Sequence, residues 1–394
     1  MSAHAKLSPS SAYRWLACPG SVALSANAPP DESNEYADEG TAAHTLAAWV
    51  LGADPRKNVT TSYYREQDIE VKNDDGSVRR KFEVTEEMAD FVQVYVDTVR
   101  DRVTGSAQLL VEQRLDTGLA SKRYGAVTGT GDAVILRPFE GVVEVHDLKY
   151  GRGNKVDAKD NPQLLLYALG AMRQYSWLMP VDKVIVAIHQ PRLDHAEFVE
   201  YTAAELDTFA RDVQGKLNVL DAEIDELNPG EKQCKYCPAA ATCPALRGAA
   251  HKAALDDFAN VADLTEWGIG KAMDQVELVE TWCAAVRAEA RRLLDSGAKV
   301  PGWCLEEGRQ GNRKWADEDQ ASGVLVAALG EAAYSKKLLS PAETEKRLKK
   351  RPTDWALIEP LIVRGAPTIN MVRDDGKRKP LAASVRDDFK KIKQ

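Results

Sequence analysis

Two groups of residues in this chain have the types and spacing to do chemistry. The first is EKQCKYCPAAATCPA, residues 231–245, which sets Cys234, Cys237 and Cys243 in a C-x2-C-x5-C pattern. Six cysteines in 394 residues are too sparse for a disulfide framework, so this tight cluster reads as a metal or cluster site. Such sites usually take four ligands, and no fourth cysteine stands beside these three. The second group lies in GTGDAVILRPFEGVVEVHDLKYG, residues 129–151. Pro138-Phe139-Glu140-Gly141 is a turn sequence between two β-rich runs. A hairpin centred there opposes Leu136 with Val143, Val134 with Val145, and Asp132 with Asp147. Strand side chains alternate, so these six and Lys149 share one face. Opposed carboxylates with Cβ atoms about 5 Å apart repel. A divalent cation with oxygen ligands offsets that repulsion, and Mg²⁺ keeps waters for chemistry while doing so. A plain ion pair to Lys149 is the alternative.

The elements that must hold these residues are legible in outline. GTAAHTLAAWVLG (40–52) reads as a short buried helix after an acidic loop at 28–39, and 53–82 reads as polar and irregular. Residues 84–103 carry apolar side chains at helical spacing, among them Met88, Val92, Tyr95 and Val99. Strand signals follow at 107–116, 129–138, 141–151 and 182–191. Between the last two, Asn161 and Pro162 suit the cap and first turn of a helix through NPQLLLYALGAMRQY. Helix, three strands, helix and strand make an α/β core. Residues 203–227 read as helical, 273–297 as a long helix, and the rest as turns, short helices and basic patches.

Composition bounds the partners. The chain is 44% apolar and 28% charged with a net charge of −8, which argues against binding nucleic acid over its whole surface. Charge is uneven, however: residues 341–394 hold 14 Lys and Arg against 8 Asp and Glu, leaving −14 on the remainder. A basic C-terminal region permits a local phosphate-binding surface, or is simply a solvated tail. No basic-then-apolar leader and no run of ~18 apolar residues is visible, so a cytoplasmic protein with no membrane partner is expected.

These residues resemble a known family. Asp132 followed by Asp147-Leu148-Lys149 is similar to the D…(D/E)-x-K core of the PD-(D/E)XK nuclease superfamily. GTAAH, ending in His44, resembles the G-x3-H motif of its RecB-like branch, and Gln163 with Tyr167 resembles that branch's Q-x3-Y. The i, i+4 spacing puts the last pair on one helix face. The motifs also run in the family's order. RecB-like nucleases of the AddB type carry a [4Fe–4S] cluster on one cysteine ahead of the core and three after it at C-x2-C-x5-C. By that resemblance the fourth ligand is Cys18, joining Cys234, Cys237 and Cys243. The opening SSAYRWLACPGS also resembles phage- and prophage-encoded members. Each motif alone is weak, but four in order inside a four-cysteine set are specific. The resemblance covers about residues 8–250.

It implies a mixed central sheet flanked by helices over 1–250, followed by a mostly helical, basic region over 251–394. It further implies a Mg²⁺- or Mn²⁺-dependent DNase, an exonuclease acting in phage or bacterial recombination, repair or replication. His44, Asp132 and Asp147 would hold the metal, helped by the carbonyl of Leu148. Lys149 would neutralise the phosphate or orient water, and Gln163 and Tyr167 would orient the phosphate, the water or the lysine. Glu112 stands as a secondary acidic candidate. Zn²⁺ is the rival ion at the cysteines, and Cys283 and Cys304 read as packing. The expected partner is DNA, single- or double-stranded, with a single-strand-binding or recombination protein as a further one. Two other readings stay open. One is a catalytically silent DNA-binding or recombination-partner protein that keeps the nuclease fold; the other is a zinc-stabilised interaction protein.

Overall fold

A computed structural model describes residues 6–26, 28, 34–73, 75–153, 155–222, 226–258, 266–311, 313–334, 338–348, 351–364 and 369–373. The end of the basic region, residues 374–394, lies outside the described residues. The chain forms two compact units, Met1–Ala285 and Val286–Gln394.

The first unit carries α1 (Ala12–Trp15), α2 (Ser21–Ser25), α3 (Glu35–Leu51), the hairpin β1 (Asp68–Lys72) and β2 (Val78–Glu83), and α4 (Glu86–Arg102). Then come β3 (Gln108–Ser121), β4 (Gly125–Arg137), β5 (Val142–Leu148), α5 (Pro162–Tyr175), β6 (Lys183–Gln190), β7 (His195–Thr202) and α6 (Ala203–Asp221). It closes with α7 (Glu231–Lys235), α8 (Pro244–Phe258) and much of α9 (Glu266–Asp295). Strands β3-β4-β5-β6-β7 form one mixed sheet in that order, antiparallel except for the β5–β6 pair. Crossing between two parallel strands requires a long connection, which is α5.

The turn-centred register holds: Val134 opposes Val145 and Leu136 opposes Val143, in a ladder that ends at Ala133–His146. One step further the ladder brings Asp132 and Asp147 to the same level. Both sheet faces are covered. Val134, Leu136, Val143, Val145, Val184 and Val186 pack against α5 and α6 through Leu164, Leu169, Leu206 and Val213. Ala133, Ile135 and Leu148 pack on the other face against α3 and α4 through Leu46, Val50, Val92, Val96 and Val99.

Caps fix the helices that bear on the site. Asn161 accepts from the backbone N–H groups of Gln163 and Leu164, and Pro162 fills the first turn, as its spacing predicts. Thr85 caps α4, and Thr202 with Glu205 forms a capping box on α6. Three expectations are corrected. The helix bearing His44 starts at Glu35 rather than Gly40, because Asn34 accepts from Ala37 N–H and Glu35 and Asp38 favour the first turn. The stretch expected to be irregular contains the β1–β2 hairpin, whose Arg79 and Arg80 clamp the fully buried Asp38 of α3. Strand β7, not foreseen, forms an edge of the main sheet with inward and outward residues in strict alternation.

The second unit adds β8 (Trp303–Glu307), β9 (Arg313–Trp315), α10 (Glu318–Leu329), α11 (Pro341–Leu348), α12 (Pro352–Ile358), β10 (Ile362–Arg364) and β11 (Ile369–Arg373). Two small antiparallel pairs, β8–β11 and β9–β10, accompany the expected helices around Leu325, Ala333, Leu348 and Ile358. Among the described residues no helix is long and apolar enough to cross a membrane.

Candidate functional site

The end of β5 beside β6 gathers most of the chemistry-bearing residues. Asp132 leaves β4 and accepts the Leu148 N–H at 2.7 Å through Oδ2, which ties it to the neighbouring strand. Its other oxygen lies 3.2 Å from His44 Nδ1 on α3. Asp147 Oδ2 lies 2.9 Å from Lys149 Nζ, an ion pair between a buried carboxylate and the lysine ammonium. Gln163 on α5 joins the set: it accepts from Lys149 at 3.1 Å and donates to Asp147 Oδ1 at 3.0 Å and to the Tyr167 hydroxyl at 3.4 Å. The i, i+4 face of α5 therefore presents Gln163 and Tyr167 to the strand end, as their spacing implies.

Tyr167 is backed by the N-terminal segment. A side chain at Gly129 would meet Tyr167 Cε1 at 2.8 Å and Pro9 at 2.9 Å, so only glycine lets β4 pass between them. Leu7, Ala12 and Trp15 are fully buried in the same core, and Trp15 Nε1 donates to the Ser8 carbonyl at 3.0 Å.

Glu112, the secondary candidate, comes forward. The β3–β4 register sets it level with Asp132, at φ 51, a left-handed conformation rare for glutamate. Ligand-capable atoms of His44, Glu112 and Asp132 lie within 4.8 Å of one another. Asp147 is turned instead toward Lys149 and Gln163, so the acids form two adjoining subsets rather than one ring.

The electrostatics are those of an acid-rich cleft. Burial by itself would lower the His44 pKa, but the Asp132 carboxylate, with help from Asp147, outweighs it and pushes the imidazole up to about 9. Glu112, though exposed as a residue, is pushed up to about 7, first by lost solvation of its carboxyl group and then by the charge of Asp132. Asp147 is raised by burial and by Asp132 against the pull of Lys149. Asp132 is held below its usual value: burial opposes this, but His44 and the Leu148 N–H prevail. Lys149 is raised, because the charges of Asp147 and Asp132 exceed the effect of burial; without a nearby cation it is an ammonium and not a base. Two cationic groups thus face three carboxylates. This deficit of positive charge fits a divalent cation with oxygen and imidazole ligands.

The three clustered cysteines also meet Cys18. Cys18, Cys234, Cys237 and Cys243 line one small pocket walled by Leu24, Leu227, Leu246 and Ala240. Three sulfurs accept backbone N–H groups: Cys18 from Asn228 at 3.3 Å, Cys234 from Gly230 at 3.4 Å and Cys243 from Leu246 at 3.4 Å. Burial, reinforced by the neighbouring cysteines, raises the thiols of Cys18 and Cys234 despite those N–H groups. Four converging sulfurs with amide donors in an apolar shell fit a four-thiolate metal or iron–sulfur group, whose charge would reverse that shift. Cys283 is half-buried and Cys304 buried, and neither lines the pocket.

A family model described as "Protein of unknown function (DUF2800)" matches residues 4–379. The chain belongs to the DUF2800 family. Among solved structures, the one titled "Crystal structure of SSO0001" is 18% identical, with 41% of this chain and 78% of that chain covered at a TM-score of 0.23. Every residue of the two sites in this DUF2800 protein, from Cys18 to Cys243, lies within the matched span.

Sequence reasoning missed a polar network on the opposite face of β5. Glu144 is fully buried and ion-paired to Arg102 and Arg137, with His146 Nε2 at 3.3 Å. His146 Nδ1 in turn lies 3.0 Å from His189 Nε2. The signal was present in VVEVHDLK, where alternation sends Glu144 and His146 to the face away from Asp147.

Proposed function

We propose that this protein is a metal-dependent deoxyribonuclease of the RecB-like, PD-(D/E)XK kind, hydrolysing phosphodiester bonds and expected to act as an exonuclease. The observation that carries this reading is the convergence of Asp132, Asp147, Lys149 and Gln163 at one end of β5, with His44 on Asp132. His44, Asp132 and Asp147, with Glu112, would hold Mg²⁺ or Mn²⁺. Mn²⁺ suits the imidazole better. When bound, the cation supplies Lewis-acid polarisation of a phosphate oxygen and a water acidified for attack.

The side chains supply the rest. Lys149, an ammonium held between Asp147 and Gln163, offers positive charge to a phosphate that gains negative charge during attack. Gln163 fixes the Lys149 and Asp147 side chains relative to each other through its amide. Tyr167, whose pKa is raised first by burial, stays protonated and offers a hydroxyl beside that amide. Cys18, Cys234, Cys237 and Cys243 would hold the [4Fe–4S] cluster, which supplies a covalent link between the N-terminal segment and the end of the core. Because Pro9 and Trp15 sit in the same segment as Cys18, that link bears on the packing behind Tyr167.

The test is degradation of end-labelled single- and double-stranded DNA by the full chain, purified without oxygen, with Mg²⁺ or Mn²⁺ added. Cleavage that is lost in Asp147→Ala and Lys149→Ala supports the reading. DNA binding without cleavage under either cation supports the silent DNA-binding alternative instead. A colourless protein carrying one zinc ion would replace the iron–sulfur assignment.

A further inference from the structure

The buried residues of α4 are Met88, Ala89, Val92, Tyr95, Val96 and Val99, apolar but for one phenol. Tyr95 is 1% exposed, and its buried hydroxyl has no hydrogen-bond partner among the described residues. A buried hydroxyl left in that state is costly, and phenylalanine would fill the same space without the cost. Its packing places it beside the candidate site: Tyr95 shares one core cluster with Ala43, Ala133 and Leu148, and Val111 packs against that cluster. These four are the chain neighbours of His44, Asp132, Asp147 and Glu112. Burial and the charges of those carboxylates keep the phenol protonated, a neutral donor next to the acids.

The ring is also held in place. His189 packs against it edge to face, with centroids 5.0 Å apart and planes at 68°. His189 is positioned by His146, and His146 by Glu144, which Arg102 and Arg137 anchor. Phe198 closes on both imidazoles. A tyrosine fixed by this chain of contacts is poorly free to turn toward another partner.

We propose that the Tyr95 hydroxyl is a hydrogen-bond donor built into the carboxylate site for an oxygen ligand that enters with a divalent cation. The inference rests on the cation-binding reading above but names a residue outside the nuclease motifs. The oxygen belongs either to water or to a phosphate, and the two are separable. In both cases Tyr95 is a positioning residue whose internal hydrogen bond is missing until the ligand arrives.

Full-length protein and Tyr95→Phe are compared by thermal unfolding and by Mn²⁺ titration followed by electron paramagnetic resonance, with Mn²⁺ alone and with Mn²⁺ plus inorganic phosphate. Without cation, Tyr95→Phe is expected to be at least as stable as the unmodified protein. Its Mn²⁺ affinity is expected to be weaker by about three- to tenfold, the factor one hydrogen bond supplies. A deficit with Mn²⁺ alone assigns the donor to water; a deficit only with phosphate present assigns it to the anion. If the unmodified protein binds Mn²⁺ at this site and Tyr95→Phe binds it equally well in both arms, the Tyr95 inference is overturned and the cation reading stands. If the unmodified protein binds no Mn²⁺, both are overturned.

Discussion

Strand β5 buries an acid on each of its faces, and the two acids live differently. Glu144, on the α4 side, has Arg102, Arg137 and His146 around it; burial opposes its ionisation, yet these partners hold its pKa at about 2. Asp147, on the α5 side, is just as inaccessible but shares one lysine with Asp132, so burial and the Asp132 charge together raise its pKa. Residue type and burial are alike; the supply of donors differs. A buried acid that the protein satisfies is part of the scaffold, and one it leaves short is positioned for something that arrives from outside.

The largest expected effect follows from exchanging the two roles. Asp147→Asn should lower cation-dependent cleavage on the order of 10³-fold while leaving stability to urea unchanged or raised, since it removes a repelling charge. Glu144→Gln should do the reverse. It leaves Arg102 and Arg137 without their carboxylate and costs about 2–4 kcal/mol of unfolding free energy, with any fall in activity tracking the unfolded fraction. Equal destabilisation by both substitutions would erase the distinction.

Proton linkage sharpens the contrast, because the faces respond to pH in opposite senses. His44 and Glu112 bind protons more tightly folded than unfolded, at about 9 against 6.5 and at about 7 against 4.5. Their contribution to cation-free stability is present below the unfolded values and lost as pH rises through about 7 and then about 9. Glu144 has its pKa depressed, so its contribution is present above 4.5 and lost as pH falls through about 2. His189, brought down to about 3 mainly by burial, adds acid lability below 6.5. A cation at the site must displace the protons on His44 and Glu112, so Mn²⁺ affinity should climb from pH 6 to pH 9, by up to about tenfold per unit for each proton released. Affinity independent of pH over that range would remove His44 and Glu112 from the ligand set.

The smallest effect tests the support behind Tyr167. Gly129→Ala places a methyl group against Tyr167 and Pro9, at a cost of about 1–3 kcal/mol. Cleavage should fall by about tenfold or less, with Mn²⁺ affinity unchanged. A loss of Mn²⁺ affinity would show that the contact supports the carboxylates rather than the tyrosine.

What the sequence disclosed depended on whether a local rule governed the position. The β4–β5 register followed from one turn and strict alternation, and with it the meeting of Asp132 and Asp147. Asn161 and Pro162 announced α5, and with it Gln163 and Tyr167. Strands β1 and β2 escaped because their exposed positions carry mainly Asp, Glu, Arg and Lys, which dilutes the apolar signal to every second residue, and β7 because polar and apolar side chains occur on both of its faces. Glu112 was underrated because its left-handed backbone and the β3 register belong to the folded sheet and not to neighbours in sequence. Tyr95 looked like one more apolar residue of α4, and only its buried, unpartnered hydroxyl sets it apart. The second unit gave little in advance, its strands being three to five residues long and paired with distant segments.

The sulfur pocket draws one wall from Cys18 and the other three from 234–243, with the whole five-stranded sheet encoded between them. A ribosome therefore delivers the first cysteine long before its companions exist. The segment from Leu7 to Cys18 must wait, already made, until the last of the core emerges, so an early-made piece of this chain is among the final ones to find its place.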